Sequence, residues 1–250
     1  MSDKIAIVTG GSRGIGAATA RMLAARGHDV AISYLSNADA AAAVVRDIEA
    51  AGQRGLAVQC DAASESETER LFETVDKKLG TLTALVNNAG LTGKVDRLDS
   101  APAETIRTCI DASVYGTIWA SRAAVRRMST KFGGKGGAIV NVSSIASKLG
   151  SPNYYVWYAA AKGAIDSLTI GLAKEVVKEG IRVNAVAPGI IDTDIHEVSS
   201  GLAGRVEKEA HLVPMGRAGT PEEVAEGIVW LLSDAASYVT AEILQISGAR

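Results

Sequence analysis

A regular alternation of short apolar runs with longer helical patterns constrains the fold more than any other feature. The runs are rich in Val and Ile, and they read KIAIVTG, DVAISY, GLAVQCD, LTALVNN, GAIVNVSS, IRVNAVAPG and EILQIS. Strands that are apolar on both faces are typical of parallel sheets covered by helices on both sides. The sequence therefore predicts an α/β protein with a seven-stranded parallel sheet.

Helical patterns separate these runs and cover residues 14–27, 37–52, 64–80, 103–131, 153–180 and 221–233. Several of them end at a glycine, which is the residue most often found just past a helix C-terminus. No internal repeat or Pro-rich linker divides the chain. We therefore expect residues 1–250 to form a single doubly wound, Rossmann-type domain.

Composition and charge narrow the classes of partner. A net charge of −2 provides no basic field for nucleic acid or an anionic membrane surface. No apolar run reaches the roughly 18 residues of a membrane span, and no signal-peptide pattern opens the chain. These features favour a cytoplasmic protein that acts on a small molecule.

The Cys and His residues do not indicate a metal site or a disulfide. Cys60 and Cys109 form no C-x-x-C pair, as expected for a reduced compartment. His28, His196 and His211 lack metal-ligand spacing with Cys or carboxylates, and we expect them at the surface.

The stretch VTGGSRGIGAATARML, residues 8–23, fits two motifs. Its G-x-S-x-G spacing would make Ser12 the nucleophile of a hydrolase, but such an elbow needs an acid and a His and normally follows several strands. Here the turn follows the first strand, and no triad features surround His196 or His211. The alternative is a phosphate-binding turn, in which small residues let a helix N-terminus approach a pyrophosphate.

Three further motifs favour the phosphate-binding interpretation. NNAG at 87–90, YAAAK at 158–162 and PGIIDT at 188–193 accompany TGGSRGIG in this order. Together they resemble the short-chain dehydrogenase/reductase family over residues 4–248, in particular its bacterial NADP-dependent ketone, sugar and 3-oxoacyl reductases. The resemblance implies hydride transfer between NADP(H) and a ketone or secondary alcohol, with a sugar or 3-oxoacyl substrate or a non-catalytic NADP-binding sensor as alternatives.

The i, i+4 spacing of Tyr158 and Lys162 places both on one helix face. A free tyrosine has a pKa near 10, and a neighbouring ammonium favours its phenolate, which suits Tyr158 to general acid/base catalysis. The resemblance adds that Lys162 also binds the nicotinamide ribose and that Ser144 orients the substrate oxygen. Strand alternation then turns Ser143 towards the sheet packing.

The residues after the second strand favour NADP(H) over NAD. Where an NAD-binding protein usually carries a carboxylate, the chain reads Leu35, Ser36 and Asn37, and Arg13 can reach a 2′-phosphate. Asp39 is the rival ribose ligand. The resemblance assigns the cofactor site to Gly10, Ser12, Arg13, Gly14, Ile15, Gly16, Leu35, Ser36, Asn37, Asp61, Ala62, Asn88, Ala89, Gly90, Tyr158, Lys162, Pro188, Gly189, Ile191 and Thr193.

Two features depart from the family pattern. Ser113 stands where relatives commonly carry an Asn that supports a water-linked proton relay. Tyr154, Tyr155 and Trp157 precede the catalytic tyrosine, and this aromatic cluster predicts either a pocket for aryl or bulky substrates or a subunit interface.

The segment 192–219 is polar and contains several glycines, which predicts a substrate lid. Family members commonly assemble through their long helices and their C-terminal end. The resemblance therefore also implies a homotetramer or a dimer.

Overall fold

The computed structural model describes residues 4–195, 199–202 and 204–250. All seven strands form one parallel sheet in the order β3-β2-β1-β4-β5-β6-β7. In chain order, β1 to β7 are Ile5–Val8, Asp29–Tyr34, Gly55–Gln59, Ala84–Asn87, Gly137–Val142, Ile181–Pro188 and Ile243–Ile246. The predicted doubly wound parallel sheet is confirmed.

Helices cover both faces of the sheet. In chain order, α1 to α9 are Gly14–Ala25, Ala38–Ala50, Glu65–Lys78, Ala103–Ile110, Gly116–Met128, Ala146–Leu149, Val156–Val176, Arg205–Glu209 and Pro221–Leu232. The helix predicted over 103–131 is wrong in one respect, because a π-helical turn at Asp111–Tyr115 separates α4 from α5. The short helices α6 and α8 were not predicted.

Successive residues of a strand point to opposite faces of the sheet, so neighbouring residues pack in two separate cores. Val8 packs in the cluster beneath α1, α2 and α9, which includes Leu23. Ile7 packs on the opposite face with Leu71 and Phe72 of α3. Burial on both faces explains why these strands read as continuous apolar runs.

Polar side chains cap several helices. The Asn37 side chain accepts a hydrogen bond from the Ala40 backbone N–H at 2.9 Å and thereby caps α2. Thr220 and Glu223 form a reciprocal capping box at the start of α9.

A buried chain of polar groups fixes α7 against the sheet. Asn87 Nδ2 donates to Asn141 Oδ1 at 2.8 Å, and Asn141 Nδ2 donates to Thr169 Oγ1 at 2.9 Å. The Asn141 and Thr169 side chains are fully buried. Since buried amides must find partners, these bonds specify how α7 lies across β4 and β5.

The sheet order reverses direction at β1, which pairs with both β2 and β4. Ligands of doubly wound proteins bind at such a switch point, beyond the carboxyl ends of the strands. No helix in the described part of the chain is long and apolar enough to cross a membrane.

Candidate active site

A cavity opens at the carboxyl ends of the strands near this switch point. Its wall includes about half of the residues that the sequence assigned to a site: Ile15, Asn88, Gly90, Ser144, Tyr158, Lys162, Pro188, Gly189, Ile191 and Thr193. The others belong to the glycine turn and to the ends of β2, β3 and β4, outside the cavity wall. Among the described residues, no group of His, Cys, Asp and Glu could hold a metal ion.

Tyr158 and Lys162 lie together on α7. Lys162 Nζ is 5.5 Å from the centre of the Tyr158 ring and donates a hydrogen bond to the Val142 carbonyl at 2.6 Å. The side chain of Lys162 is buried, yet both residues contribute to the cavity wall. The lysine is therefore fixed between the end of β5 and the phenol.

Burial changes the acidity of this lysine. Loss of water around the ammonium lowers the pKa of Lys162 from 10.5 to about 8, and electrostatic interaction with Cys109 and Asp166 acts in the opposite direction. A lysine in this environment therefore loses its proton near pH 8.

Ser143 and Ser144 have different surroundings. Ser143 Oγ is buried and donates to Asp166 Oδ1 at 2.5 Å, which ties the end of β5 to α7. Ser144 Oγ accepts from the Ala146 backbone N–H at 3.1 Å. Both residues contribute to the cavity wall, but the Ser143 hydroxyl is engaged by Asp166.

The glycine turn is closely packed against Asn88. Gly10 has a φ of +62°, and a Cβ on Gly16 would lie 2.4 Å from the Gly10 carbonyl and 2.5 Å from Asn88 Nδ2. Asn88 Nδ2 donates to the carbonyls of Thr9 at 3.0 Å and Gly10 at 2.9 Å. Asn88 therefore shapes the turn, and only glycine fits at position 16.

The N-terminus of α1 carries no negative side chain. Arg13 occupies the N-cap position without a side-chain cap, and the first turn contains no acidic residue. Within the described residues, the Arg13 guanidinium pairs with Asp194 at 3.0 Å, and both side chains are about half exposed. Ser12 forms no described hydrogen bond to a His. His211 is exposed, and His196 lies outside the described residues.

The end of β2 is open to solvent. Leu35, Ser36 and Asn37 are exposed, and Gln59 Nε2 holds the Leu35 carbonyl at 2.9 Å. Asp39 is exposed in the first turn of α2, where a carboxylate favours the helix dipole.

The ends of β3 and β4 are also fixed locally. The Asp61 carboxylate accepts from the Ala63 N–H at 2.9 Å. Ala62 packs on Gly116, where a Cβ would meet the Ala62 carbonyl at 2.9 Å. Ala89 lies against Gly10, and its backbone N–H donates to Thr9 Oγ1 at 3.0 Å.

Ser113 lies in the π-helical turn, behind Gly90 of the cavity wall. Its hydroxyl is buried, and it has no hydrogen-bond partner among the described residues. A Cβ on Gly90 would lie 3.1 Å from Ser113 Oγ and 3.8 Å from Lys162 Nζ. The departure noted in the sequence is therefore located beside the lysine.

Of the three aromatic residues before Tyr158, only Tyr155 lines the cavity, although Tyr155 and Trp157 pack in the same buried core. Trp157 is 3% exposed and donates from Nε1 to the Thr92 carbonyl at 2.8 Å, so the prediction that it lines the pocket is wrong. Tyr154 is partly exposed outside the wall, whereas Tyr155 lines the cavity with its ring 5.4 Å from that of Tyr158. His28 also differs from expectation, because it is partly buried and its pKa is lowered by burial.

The described parts of segment 192–219 contact the loops that follow β6 and β4 and line part of the cavity. Ile191 and Gly219 form a β-bridge, and the Ser199 hydroxyl accepts the backbone N–H groups of Thr92 at 2.9 Å and Gly93 at 3.2 Å. Thr193 and Ile195 line the cavity.

Arg250 also lines the cavity, a position that no sequence motif indicated. It lies beyond the last strand, and the topology brings it to the strand ends where the cavity opens. Only the spatial order of β6 and β7 could have predicted this placement.

Comparison with known proteins identifies relatives along the whole chain. The family model described as enoyl-(acyl carrier protein) reductase matches residues 10–248. The uncharacterized oxidoreductase YgfF of Escherichia coli (strain K12) is 49% identical over 98% of this chain and 99% of its own. Cis-4-hydroxycyclohexanecarboxylate dehydrogenase of Sinomonas cyclohexanicum is 40% identical over 99% and 96%.

Solved structures agree with these sequence matches. A short-chain dehydrogenase from Burkholderia cenocepacia J2315, crystallised in complex with NADP, superposes with a TM-score of 0.90 at 35% identity. That match covers 98% of this chain and 97% of the solved one. Together with the site geometry, these relatives show that the chain belongs to the short-chain dehydrogenase/reductase family of oxidoreductases.

Proposed function

We propose that this protein is an NADP(H)-dependent carbonyl reductase and alcohol dehydrogenase that acts on a ketone or the corresponding secondary alcohol. The observation that carries the proposal is the buried Lys162 beside Tyr158, in a cavity that Ser144 also lines. Burying an ammonium costs free energy, and a phenol beside it gains acidity. Such an arrangement is typical of a catalytic site.

The residues present fit a dinucleotide. The N-terminal N–H groups of α1 have no side-chain cap, and the first turn contains no acidic residue, so they suit a pyrophosphate. The absence of a side chain at Gly16 keeps the turn compact, since a Cβ there would collide with Gly10. The solved Burkholderia cenocepacia relative is itself in complex with NADP.

NADP(H) suits the adenosine end better than NAD(H). Leu35, Ser36 and Asn37 offer no carboxylate to a ribose, and Arg13 supplies a positive charge at the adjacent turn. The rival Asp39 is exposed at the start of α2, where its charge favours the helix dipole. Asp61, Ala62, Ala89 and Gly90 would border the adenosine and ribose, and Pro188, Gly189, Ile191 and Thr193 would border the nicotinamide.

The chain's own residues supply the proton and orient the substrate. When bound, the cofactor supplies or accepts the hydride. Tyr158 Oη gives its proton to the oxygen of the forming alkoxide, and Ser144 Oγ donates a hydrogen bond to the same oxygen. Lys162 stabilises the resulting phenolate through its charge. The buried Ser113 hydroxyl, which has no hydrogen-bond partner among the described residues, would hold a water that relays protons to Lys162.

The cavity favours a bulky apolar group next to the carbonyl. Leu149, Ile190 and Ile195 contribute apolar wall, and Tyr155 contributes an aromatic ring. Burial against these side chains suits cyclic or branched ketones better than open-chain sugars. The described part of the segment 192–219 would close this wall as a lid.

Cofactor binding and turnover test the proposal together. Fluorescence titration with NADPH and NADH should show tighter binding of NADPH, and NADPH oxidation should occur with a cyclic ketone. Tyr158→Phe should abolish turnover while NADPH still binds. Near-normal turnover by this variant would exclude Tyr158 as the acid. Tight NADPH binding with no turnover on any ketone would instead favour a non-catalytic sensor.

A further inference from the structure

The charged side chains of the cavity wall are basic. Among the described residues, Lys162 and Arg250 are the only members of the wall with charged side chains, and no Asp or Glu belongs to it. The proposed reaction uses Lys162 but assigns nothing to Arg250. A positive charge in a mostly apolar wall is a specificity element, because few polar groups in such a site determine which ligand it accepts.

The backbone of Arg250 is held beside the loop that follows β6. Its N–H donates to the Ser247 carbonyl at 3.3 Å, and Ser247 Oγ donates to the Arg250 carbonyl at 3.2 Å. Ser247 packs directly on Gly189, where a Cβ would lie 2.8 Å from the Ser247 Cα. The tail is therefore anchored to the loop that also forms the cavity wall at Ile190.

The guanidinium of Arg250 is incompletely paired. Its side chain is 23% exposed, and its Nη1 lies 3.6 Å from Glu209 Oε2 of α8. This distance is longer than a hydrogen bond, and within the described part of the chain no acceptor hydrogen-bonds to the guanidinium. A largely buried guanidinium has five N–H donors to satisfy, and a carboxylate matches two of them at once.

We propose that Arg250 binds a carboxylate carried by the substrate, so that the preferred substrates are oxo acids and the matching hydroxy acids. This inference rests on the proposed function. In the reduction, a C–H bond forms between the carbonyl carbon and the hydride from NADPH, which leaves as NADP⁺. The carbonyl oxygen receives the Tyr158 proton, and the distant carboxylate is unchanged throughout.

Two cyclic ketones that differ in charge but hardly in size test the inference. 4-Oxocyclohexanecarboxylate and 4-oxocyclohexanecarboxamide are compared by kcat/KM at saturating NADPH. The parent should prefer the acid by about tenfold or more, as expected for a hydrogen-bonded charge pair. Arg250→Gln should remove this preference while kcat/KM for the amide stays within about threefold. An unchanged acid-to-amide ratio in Arg250→Gln would overturn the inference.

Glu209→Gln is the matched control, because it breaks the same ion contact from the other side. If Arg250 binds the substrate, this variant should keep or raise the preference for the acid, since a competing carboxylate is lost. If Arg250 only anchors α8, both variants should lower kcat/KM equally for the acid and the amide. That result would also overturn the inference.

A binding measurement separates this inference from the proposed function. Cyclohexanecarboxylate, which cannot be reduced, should raise the Tm of the parent in the presence of NADP⁺ but not the Tm of Arg250→Gln. An equal rise in both proteins would contradict a role for Arg250. Loss of the rise in the variant, with no turnover of either ketone by the parent, would contradict the proposed reductase and leave the carboxylate site established.

Discussion

Arg13 and Asp194 form an ion pair at 3.0 Å although they are 181 residues apart in the chain. The pair joins the N-cap of α1 to the segment that follows β6. Thr193, next to Asp194, also lies against the turn, with its Cγ2 3.3 Å from the position of a Cβ on Gly14. Arg13, whose guanidinium we propose to bind the 2′-phosphate of NADP(H), therefore already pairs with the Asp194 carboxylate.

We predict that Asp194→Asn binds NADPH more tightly. The phosphate no longer competes with Asp194, and an exposed ion pair contributes about 0–1 kcal/mol, which limits the gain to roughly fivefold. Fluorescence titration of both proteins with NADPH and NADH measures this effect, and NADH affinity should not change. Arg13→Ala is the opposite control and should weaken NADPH binding alone. Equal tightening of both dinucleotides would place the effect at the pyrophosphate instead.

The pH dependence of catalysis should follow Lys162. Because its pKa is about 8, the ammonium is lost above that pH, and kcat/KM should fall on the alkaline side. The negative charge of Asp166 raises this pKa, so Asp166→Asn should move the alkaline limb to lower pH. Asparagine still offers an acceptor to Ser143. Glu175→Gln, an exposed change on the same helix, should leave the limb in place, and an equal shift there would exclude a specific effect of Asp166.

Burial of the Lys162 ammonium should also lower the free energy of unfolding. Its pKa falls from 10.5 to about 8 on folding, a difference of about 3 kcal/mol against the buried ammonium. Lys162→Met removes this cost but loses the bond to Val142, worth about 1 kcal/mol, so the free energy of unfolding at pH 7 should rise by about 2 kcal/mol.

The stability cost of the buried Lys162 ammonium depends on pH. The cost is fully present below pH 8 and disappears as pH rises from 8 towards 10.5, where the unfolded chain also loses the proton. Urea unfolding of parent and Lys162→Met should therefore show a difference in the free energy of unfolding that becomes smaller between pH 7 and pH 9.5. A difference in unfolding free energy that does not change with pH would show that altered packing, and not the charge of Lys162, causes it.

Trp157 should govern stability, and Tyr155 should govern selectivity. Trp157→Ala empties a buried site and should cost about 3–5 kcal/mol without changing the ratio of kcat/KM values for small and bulky ketones. Tyr155→Ala, at the cavity wall, should change that ratio. Urea unfolding and a two-ketone assay check both outcomes. A changed ratio in Trp157→Ala, measured where the variant remains folded, would restore the pocket interpretation.

Two glycine substitutions should have opposite effects. Gly16→Ala forces a Cβ to within 2.4 Å of the Gly10 carbonyl, so it should distort the turn and abolish NADPH binding. Gly163→Ala places its Cβ on α7, where no atom outside the helix's own backbone lies within 4 Å, and should stabilise the protein by about 0.5–1 kcal/mol. Thermal unfolding and NADPH titration of each variant measure this contrast. Retained NADPH binding in Gly16→Ala would show that the turn can relax.

The sheet was predictable because each strand is buried on both faces, so runs such as the one containing Ile7 and Val8 carry an unbroken apolar signal. The i, i+4 pair of Tyr158 and Lys162 was predictable for a similar reason, since a helix converts spacing directly into proximity. Burial of Lys162 did not follow from spacing. It depends on β5, whose Val142 carbonyl holds the ammonium.

Features that depend on contacts between distant chain segments could not be predicted from the sequence. Trp157 and Tyr155 pack in the same buried core, yet only Tyr155 also lines the cavity, whereas the Trp157 indole donates to the Thr92 carbonyl. The π-helical turn at Asp111–Tyr115 has no simple residue signature in this chain. Arg250 reaches the cavity only because β7 pairs with β6.

The placement of β1 has a consequence for how the chain folds during synthesis. β1 pairs locally with β2, but its other neighbour is β4, where Ala6 pairs with Ala84. A ribosome adding about 5–20 residues per second needs about 4–16 s to make the intervening segment. Throughout that interval the nascent chain exposes an unpaired apolar edge at Ile7 and Val8, a template for unwanted association. Chaperone dependence should therefore be greatest before β4 emerges.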